Sequence, residues 1–229
     1  MLKFFQKLKW KRQKINSFHS LLKGSSVLKA QGYQDLFALI SNDFKRDGFF
    51  VEFGAANGKD LSNTWVLEKI FGWEGILAEP GRNWHQDLFK NRNCIISTDC
   101  VWTVSGEVLS FLESSQPELS TIHTFAETDG RNRLEKVHST YEVNTISLLG
   151  LLQKYDAPST IDFMSIDTEG SEFDILNNFD WSRYKINALC IEHNYTNARQ
   201  KIYELLVGNG YKRVYEGISG ADDWYKNVS

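Results

Sequence analysis

Acidic side chains follow several apolar runs of this chain at the point where each run ends. Glu52 lies inside the run FFVEF, Glu79 follows GILA, Asp167 follows IDFMSI, and Glu192 and His193 follow INALCI. Short apolar runs are typical of buried strands, and the carboxyl ends of parallel strands meet at one edge of a sheet. We therefore expect these groups to lie close together, where they can accept hydrogen bonds, take a proton or bind a divalent cation.

A glycine turn follows the first of these runs. Residues 49–58, FFVEFGAANG, predict a strand and a turn, and a helix follows from about residue 62 to 71. Gly54 and Gly58 leave room for a ligand, and the helix N-terminus offers N–H groups to an anion. The dinucleotide pattern Gly-x-Gly-x-x-Gly is absent, and Glu52 disfavours a pyrophosphate. A ligand with an ammonium and a carboxylate, such as S-adenosylmethionine, fits better.

An acid follows the second apolar run, at a spacing from the glycine turn that suits a nucleoside. Glu79 lies 25 residues beyond Gly54, and an acid at the end of the second strand accepts hydrogen bonds from both ribose hydroxyls. Asp99 and Cys100 follow a third predicted strand, at the place where an adenine amino group is expected. Asn63 could reach the carboxylate of the ligand. These spacings together predict a site for an adenosine-containing cofactor.

The remaining chain alternates predicted strands with predicted helices, which indicates a largely parallel α/β sheet. Strands are expected at 161–166 and 186–191, and a closing antiparallel hairpin at 211–215 and 223–226. A helix is expected over residues 145–155. With 229 residues, a single domain over residues 31–229 is expected.

One region departs from this alternation. Residues 101–104 and 108–112 predict a hairpin with a tight turn, and residues 113–142 are polar and without periodicity. So long a loop in a compact domain is usually functional, and we interpret it as a lid that faces the substrate. It contains His123, His138, Arg131 and Arg133, of which the two histidines are candidate substrate-binding residues.

The N-terminal arm, residues 1–30, is basic and amphipathic. It carries eight of the 26 Lys and Arg residues and no acid, so the remaining 18 basic residues face 29 acidic ones, a net charge of −11. An acidic body argues against nucleic-acid binding. The arm either packs on the domain or lies, through residues 1–22, on an anionic membrane surface. It lacks the apolar core of a signal peptide and the ~20 apolar residues of a transmembrane span.

The three cysteines, Cys94, Cys100 and Cys190, show neither metal-binding spacing nor a disulfide framework. A reducing cytoplasm is the expected location, with membrane contact through the arm as the alternative.

Three segments together resemble a known family. VEFGAANG, ILAEP and IDFMSIDTEGSEFDIL are similar to motifs of the FkbM family of S-adenosylmethionine-dependent methyltransferases, and the resemblance extends over about residues 34–215. It implies a Rossmann-like, seven-stranded, mostly parallel sheet with helices on both faces. It also implies O-methylation, commonly of sugar hydroxyls in glycans, lipopolysaccharides or glycosylated metabolites. Ser165 stands where many members carry lysine, and Ala56 occupies the middle of the glycine turn. The acceptor itself does not carry over.

The resemblance also assigns roles to individual residues. With the spacings above, the cofactor-binding set is Glu52, Gly54, Ala55, Asn57, Gly58, Asn63, Glu79, Asp99 and Cys100. Asp167 and Glu169 match the signature acids beside the transferred methyl group.

The implied chemistry requires help with a proton, because a sugar hydroxyl is a weak nucleophile near neutral pH. Asp167, Glu169 and His193 are the candidate catalytic residues. Asp167 and Glu192 could instead hold Mg²⁺ or Mn²⁺, which would stabilise the alkoxide. Two alternatives remain open: a non-catalytic adenosine-binding scaffold, and an NAD-dependent sugar reductase, which the missing dinucleotide pattern disfavours.

Overall fold

The structure is a computed structural model that describes residues 27–127 and 131–229. The prediction for the basic arm therefore lies outside the described residues, apart from residues 27–30. The helices of the described residues are α1 Gln34–Ser41, α2 Trp65–Phe71, α3 His85–Asn91, α4 Leu148–Lys154, α5 Glu172–Asn177 and α6 Ala198–Gly208. The strands are β1 Phe49–Phe53, β2 Glu74–Ala78, β3 Ile95–Ser97, β4 Cys100–Trp102, β5 Val108–Ser114, β6 Thr121–Ile122, β7 Val137–Ser147, β8 Thr160–Ile166, β9 Lys185–Glu192, β10 Tyr211–Val214 and β11 Asp222–Asn227.

The central sheet has seven strands within the described residues, in the order β10-β11-β9-β8-β1-β2-β3. All neighbours pair in parallel except β11, which runs antiparallel to both β9 and β10. The predicted Rossmann-like sheet and its closing hairpin are confirmed. Because β1, β2 and β8 are adjacent and parallel, the segments that follow them meet at one edge of the sheet.

Helices cover both faces of this sheet because successive side chains of a strand point to opposite faces. On β1, Val51 and Phe53 pack in an apolar cluster with residues of α4, α5 and α6. Phe50 packs on the other face in a cluster with residues of α1, α2 and α3. The central strands are buried on both sides, which explains their nearly continuous apolar runs.

A second sheet lies between β3 and β8 in the chain, with the order β4-β7-β5-β6. We call β4 to β7 and their connections the insertion. The predicted hairpin is wrong: β4 pairs in parallel with β7, and β5 pairs antiparallel with β7, so β7 lies between them. The long β7 supplies the partner for both strands, and its residues Val143 and Ile146 are buried.

The sequence predicts one irregular loop over residues 113–142. The structure differs, because this segment includes β6 and the start of β7. They also include the 3₁₀ helices Pro117–Leu119 and Arg133–Lys136. The apolar periodicity of the sequence does not reveal these elements, because β6 has only two residues and much of β7 is exposed at alternate positions. Residues 128–130 lie outside the described part of the chain, and a lid motion stays a prediction.

The predicted helix at 145–155 begins later than expected. Its first three residues complete β7, and α4 starts at Leu148. Ser147 is the N-cap, and its hydroxyl accepts a hydrogen bond from the Gly150 N–H, which ends the strand and begins the helix. Within the described parts of the chain, no helix combines the length and apolar character that a membrane crossing requires.

Candidate active site

A cleft opens at the carboxyl ends of β1, β2 and β8, and the insertion supplies one of its walls through Phe111, Ile122 and the segment from Pro117 to Ser120. The cleft brings together eight of the residues that the sequence predicted to bind cofactor or to act in catalysis. These are Glu52, Gly54, Ala55, Asn63, Glu79, Cys100, Asp167 and Glu169.

Gly54 follows β1 and adopts a left-handed conformation with φ of 69°. A Cβ atom at this position would lie 1.9 Å from the backbone carbonyl oxygen of Asp167. Glycine is therefore required so that the turn after β1 can contact the loop after β8. The sequence predicted this glycine, but it attributed the close approach to a ligand rather than to the neighbouring loop.

Glu52 is buried and accepts hydrogen bonds from the segment that leads into α2. Its carboxylate accepts hydrogen bonds from the Asn63 N–H at 2.7 Å and from the hydroxyls of Ser62 and Thr64. The guanidinium of Arg92 lies 3.7 Å away and is itself buried. Glu52 thus fixes the wall of the cleft, and its predicted contact with a cofactor ammonium stays a prediction.

Arg92 is a buried residue that supports the wall of the cleft and that the sequence analysis did not predict. Its guanidinium donates to Glu68 at 2.5 Å, to the Gly58 carbonyl oxygen at 3.1 Å and to the hydroxyl of Thr64 at 3.0 Å. Burial raises the pKa of Glu68, but the charge of Arg92 and the hydrogen bonds from Lys69, Arg92 and the Asn93 N–H outweigh this effect and lower the pKa to about 2. No sequence pattern marks an arginine at the end of a helix as buried, so it could not have been found by spacing.

Glu79 is a buried carboxyl group that lines the cleft. It accepts hydrogen bonds from the Ala56 N–H at 2.8 Å and from the Gly81 N–H at 2.7 Å. Burial raises its pKa to about 7, against the lowering effect of these two N–H groups. The residue therefore joins the glycine turn to the end of β2, and it also presents a carboxyl group to a ligand in the cleft.

Asn63 also lines the cleft. Its side-chain NH₂ donates to the Ser165 hydroxyl at 2.8 Å, while its carbonyl oxygen Oδ1 is buried and has no hydrogen-bond partner among the described residues. A buried acceptor without a partner is costly, so this atom is suited to a donor from a ligand.

Other predicted cofactor residues lie outside the lining of the cleft. Asn57 uses its side-chain oxygen to accept the N–H groups of Lys59 and Asp60, which shapes the turn. Gly58 packs against α3, where an added Cβ would lie 2.6 Å from Arg92 Cγ. Asp99 forms an ion pair with Lys154 at 2.8 Å. For these three residues the structure shows roles within the fold, and contact with a cofactor stays a prediction.

Three carboxyl groups meet at the ends of β8 and β9. Asp167, Glu169 and Glu192 each offer an oxygen, and these oxygens lie within 4.8 Å of one another. Burial is the main cause that raises the pKa of Asp167 well above its ordinary range, and the charges of Glu192 and Glu169 add to it. Burial and the charge of Glu169 raise the pKa of Glu192 to about 8. Asp167 and Glu192 therefore form a pair in which an ionised carboxylate on one residue disfavours ionisation of the other.

The insertion supplies two arginines that bind the third carboxylate. Arg131 donates to both oxygens of Glu169, at 3.0 and 2.9 Å, and also to the side chain of Asn194. Arg133, which is buried, donates to the same carboxylate. Glu169 has φ of 59°, and its carbonyl oxygen accepts from the Thr121 hydroxyl. Glu169 thus anchors the insertion to the loop after β8, which makes it a weak candidate for a proton acceptor.

The histidines lie elsewhere. His193 is buried beside Asp223, with its Nε2 3.7 Å from that carboxylate, and its Nδ1 accepts the Tyr195 N–H. It follows Glu192 directly, and neighbouring residues of an extended chain point in opposite directions. It does not line the cleft, and burial lowers its pKa, so the structure does not support its assignment as a catalytic residue.

His123 and His138 are exposed on the insertion and also lie outside the cleft lining. The structure therefore does not support their assignment as substrate-binding residues.

The strand order of the sheet, with a cleft at the ends of β1, β2 and β8, is that of the class I methyltransferase fold. The family model for the methyltransferase FkbM domain matches residues 52–214, and the chain belongs to this family. The protein is therefore an S-adenosylmethionine-dependent methyltransferase.

Three solved structures are similar to this chain at low identity. A precorrin-6y C5,15-methyltransferase from Geobacter metallireducens is 11% identical, with a TM-score of 0.43 and coverage of 88% of this chain and 89% of the other. A ribosomal protein L11 methylase from Lactobacillus delbrueckii is 10% identical, with a TM-score of 0.42 and coverage of 85% and 77%. A methyltransferase from Pyrococcus furiosus is 12% identical, with a TM-score of 0.41 and coverage of 93% and 95%. A search of curated protein sequences found no significant match.

The residues of the cleft fit S-adenosylmethionine. The buried carboxyl group of Glu79 would accept hydrogen bonds from a ribose diol, and the unpartnered Oδ1 of Asn63 would be a further acceptor. Cys100 and Val101 would offer apolar surface to a base.

Proposed function

We propose that this protein methylates a hydroxyl group of a sugar in a glycan, a lipopolysaccharide or a glycosylated metabolite. The observation that carries the proposal is the Asp167–Glu192 carboxyl pair, which lies beside the cleft that Asp167 lines. An acceptor hydroxyl must lose its proton as it is methylated, and a carboxyl pair with a raised pKa is suited to receive it.

Glu79, Asn63 and the turn after β1 would hold the cofactor, and Cys100 would contact its base. When bound, S-adenosylmethionine supplies a methyl group on a sulfonium, which an oxygen nucleophile can take by in-line displacement. The residues of this chain contribute orientation, which can lower a barrier by several kcal/mol.

The proton passes to the Asp167–Glu192 pair. The hydroxyl would release its proton to an ionised carboxylate of this pair as the O–C bond to the methyl group forms and the S–C bond of the donor breaks, which leaves S-adenosylhomocysteine, and the pair would then return the proton to solvent. Glu169 keeps its carboxylate on Arg131 and Arg133, so it fixes the position of the loop that carries Asp167. Ser165 is uncharged, so this site lacks the positive charge that many family members have from a lysine at this position.

A divalent cation at the same cluster is the second route to the alkoxide. Three carboxylate oxygens within 4.8 Å are suited to Mg²⁺ or Mn²⁺. Because the two arginines already bind Glu169, Asp167 and Glu192 would be the main protein ligands.

Chelation separates the two routes. Turnover of a glycan acceptor should be measured with and without excess EDTA, then after Mg²⁺ or Mn²⁺ is added back. Full turnover in EDTA assigns the proton to the carboxyl pair alone, whereas a loss that the metal restores assigns a cation to the site. In either case Asp167→Asn and Glu192→Gln should lower turnover by about 10²–10⁴-fold. The control is Glu74→Gln, an exposed acid at the opposite end of β2.

A binding measurement tests the donor itself. Titration calorimetry should show that S-adenosylhomocysteine binds and that NAD does not. Binding of NAD in place of S-adenosylhomocysteine would favour a sugar reductase, and binding of S-adenosylhomocysteine without any methyl transfer would favour a non-catalytic scaffold.

A further inference from the structure

We propose that the acceptor sugar carries a protonated amine and no anionic group, and that Glu118 of the insertion recognises this amine. The inference deepens the proposed function, because it names the class of sugar that the same cleft accepts. It rests on the charges of the residues that line the cleft and on the partners that each of them has.

The charged residues that line the cleft are all acidic. Among the described residues, no lysine, arginine or histidine contributes to it. The acids that line it are Glu52, Asp60, Glu79, Glu118, Asp167 and Glu169. A phosphate, sulfate or uronic acid on the acceptor would therefore meet like charges and no counter-charge, which selects against such acceptors.

Four of these acids are already engaged by neighbouring groups. Glu52 and Glu169 bind arginines, Glu79 accepts two backbone N–H groups, and Asp167 belongs to the carboxyl cluster with Glu169 and Glu192. These contacts lie within the protein. They do not account for the two acids that remain.

Asp60 and Glu118 are both exposed, and both line the cleft. Asp60 accepts one hydrogen bond, from the Asn57 side chain at 3.0 Å. Glu118 has no hydrogen bond or ion pair with any described residue. A cationic group of a ligand would give Glu118 its counter-charge, with Asp60 adding to the attraction from the turn after β1.

Glu118 is held on an ordered turn rather than on a free loop. It lies in the 3₁₀ helix Pro117–Leu119, whose Leu119 carbonyl oxygen accepts a hydrogen bond from Arg133 at 2.6 Å. The Ser120 hydroxyl donates to the Pro117 carbonyl oxygen at 2.7 Å. Because the same Arg133 binds Glu169, the turn that carries Glu118 is tied to the loop that carries Asp167. A fixed carboxylate near the reaction site can select an acceptor by charge.

A matched set of saccharides tests the proposal. The probes are trisaccharides of glucosamine, of N-acetylglucosamine and of galacturonic acid, titrated by calorimetry into full-length protein saturated with S-adenosylhomocysteine. The amine trisaccharide should bind at least fivefold more tightly than the acetylated one, and the uronic acid trisaccharide should bind weakest. The preference should shrink as salt is raised.

Variants locate the effect on Glu118. Glu118→Gln should lower the preference for the amine to less than twofold without weakening the acetylated probe. The matched control is Glu135→Gln, an exposed acid of the same insertion that does not line the cleft, and it should keep the full preference. Titration with S-adenosylhomocysteine reports on the fold of each variant.

The inference is overturned if the amine probe binds no more tightly than the acetylated one, or if Glu118→Gln keeps the preference. Failure of the proposed function would look different. Methyl transfer to a neutral or anionic sugar would support sugar methylation and reject only the preference for an amine. Absence of S-adenosylhomocysteine binding, or of any methylated sugar, would reject the proposed function itself.

Discussion

At the scale of single residues, Glu79 serves both the fold and the ligand site. Its two carboxyl oxygens hold the glycine turn and the end of β2 together through backbone N–H groups. The same group lines the cleft, and its pKa lies near 7 because it is buried. A ligand that donates hydroxyls to it therefore meets a carboxyl group that ionises within the physiological range.

Removing this carboxyl group should weaken the cofactor. Glu79→Ala loses hydrogen bonds to a buried diol, so affinity for S-adenosylhomocysteine should fall by ~1.5–3 kcal/mol. Calorimetry measures the change, with Glu74→Ala as the control on the same strand. Unchanged affinity in Glu79→Ala would exclude it from the ribose site.

The pKa of Glu79 predicts a pH dependence with a definite sign. The ionised carboxylate is the better acceptor, so affinity for S-adenosylhomocysteine should rise about tenfold between pH 6 and pH 8. The free protein should show the opposite trend from this group, because a carboxyl whose pKa rises from 4.5 to about 7 on folding stabilises the fold below 4.5 and loses that contribution as the pH rises through 7. Affinity that stays pH-dependent in Glu79→Gln would assign the titration to another group.

The residue assignments show where sequence reasoning reaches its limit. Acids that end predicted strands could be placed, because the carboxyl edge of a parallel sheet collects them. His193 could not be placed, because its direction depends on the backbone after β9, where Asn194 and Tyr195 both adopt left-handed conformations. Arg131 and Arg133 were visible in the sequence, but their common partner Glu169 is more than 30 residues away.

At the scale of elements, the turn after β1 depends on contact with the loop after β8. Gly54→Ala places a Cβ 1.9 Å from the Asp167 carbonyl oxygen, in addition to the ~1–2 kcal/mol that a left-handed conformation costs an alanine. The free energy of unfolding should therefore fall by well over 2 kcal/mol, and cofactor affinity should fall with it.

Gly220 offers a matched control for this substitution. Its φ of 66° is nearly the same, but an added Cβ would have no neighbour within 4 Å. Gly220→Ala should therefore show the conformational cost alone in chemical denaturation. Equal losses in the two variants would show that the contact between the two loops is unimportant.

The elements of the central sheet were predictable, whereas those of the insertion were not. β1, β8 and β9 are buried on both faces, so each appears as one apolar run. β7 alternates exposed and buried positions and is mostly polar, and β6 has two residues. Their pairing is set by contacts distant in sequence, which local periodicity does not record.

At the scale of the whole molecule, the charge is divided between a basic arm and an acidic body. Residues 1–26 of the arm lie outside the described part of the chain, and the role of the arm stays a prediction. Deletion of residues 1–22 should leave methyl transfer intact, because the cleft lining starts at Gln31, and should weaken binding to anionic liposomes in a salt-dependent way. If truncated and full-length protein bind such liposomes equally, the result would indicate that the arm packs on the domain as a helix. It would also favour a purely cytoplasmic enzyme.

The arm and the cleft would attract groups of opposite charge. The cleft is acidic, so an amine-bearing sugar can be attracted to it while the arm contacts an anionic surface. The two charged regions would then act on different parts of the encounter: the arm on a membrane or polysaccharide, and the cleft on the sugar that is methylated.

We propose that the Asp167–Glu192 pair, whose Asp167 lines the cleft, assists transfer of a methyl group to a sugar oxygen. The most direct measurement uses S-adenosylmethionine labelled with ¹³C in its methyl group, a preparation of cell-surface glycans, and NMR of the product. We predict that the label appears on a sugar oxygen with the native protein and with Glu74→Gln. With Asp167→Asn, transfer should fall at least about a hundredfold while S-adenosylhomocysteine still binds. A label on nitrogen or carbon, or undiminished transfer by Asp167→Asn, would contradict the account.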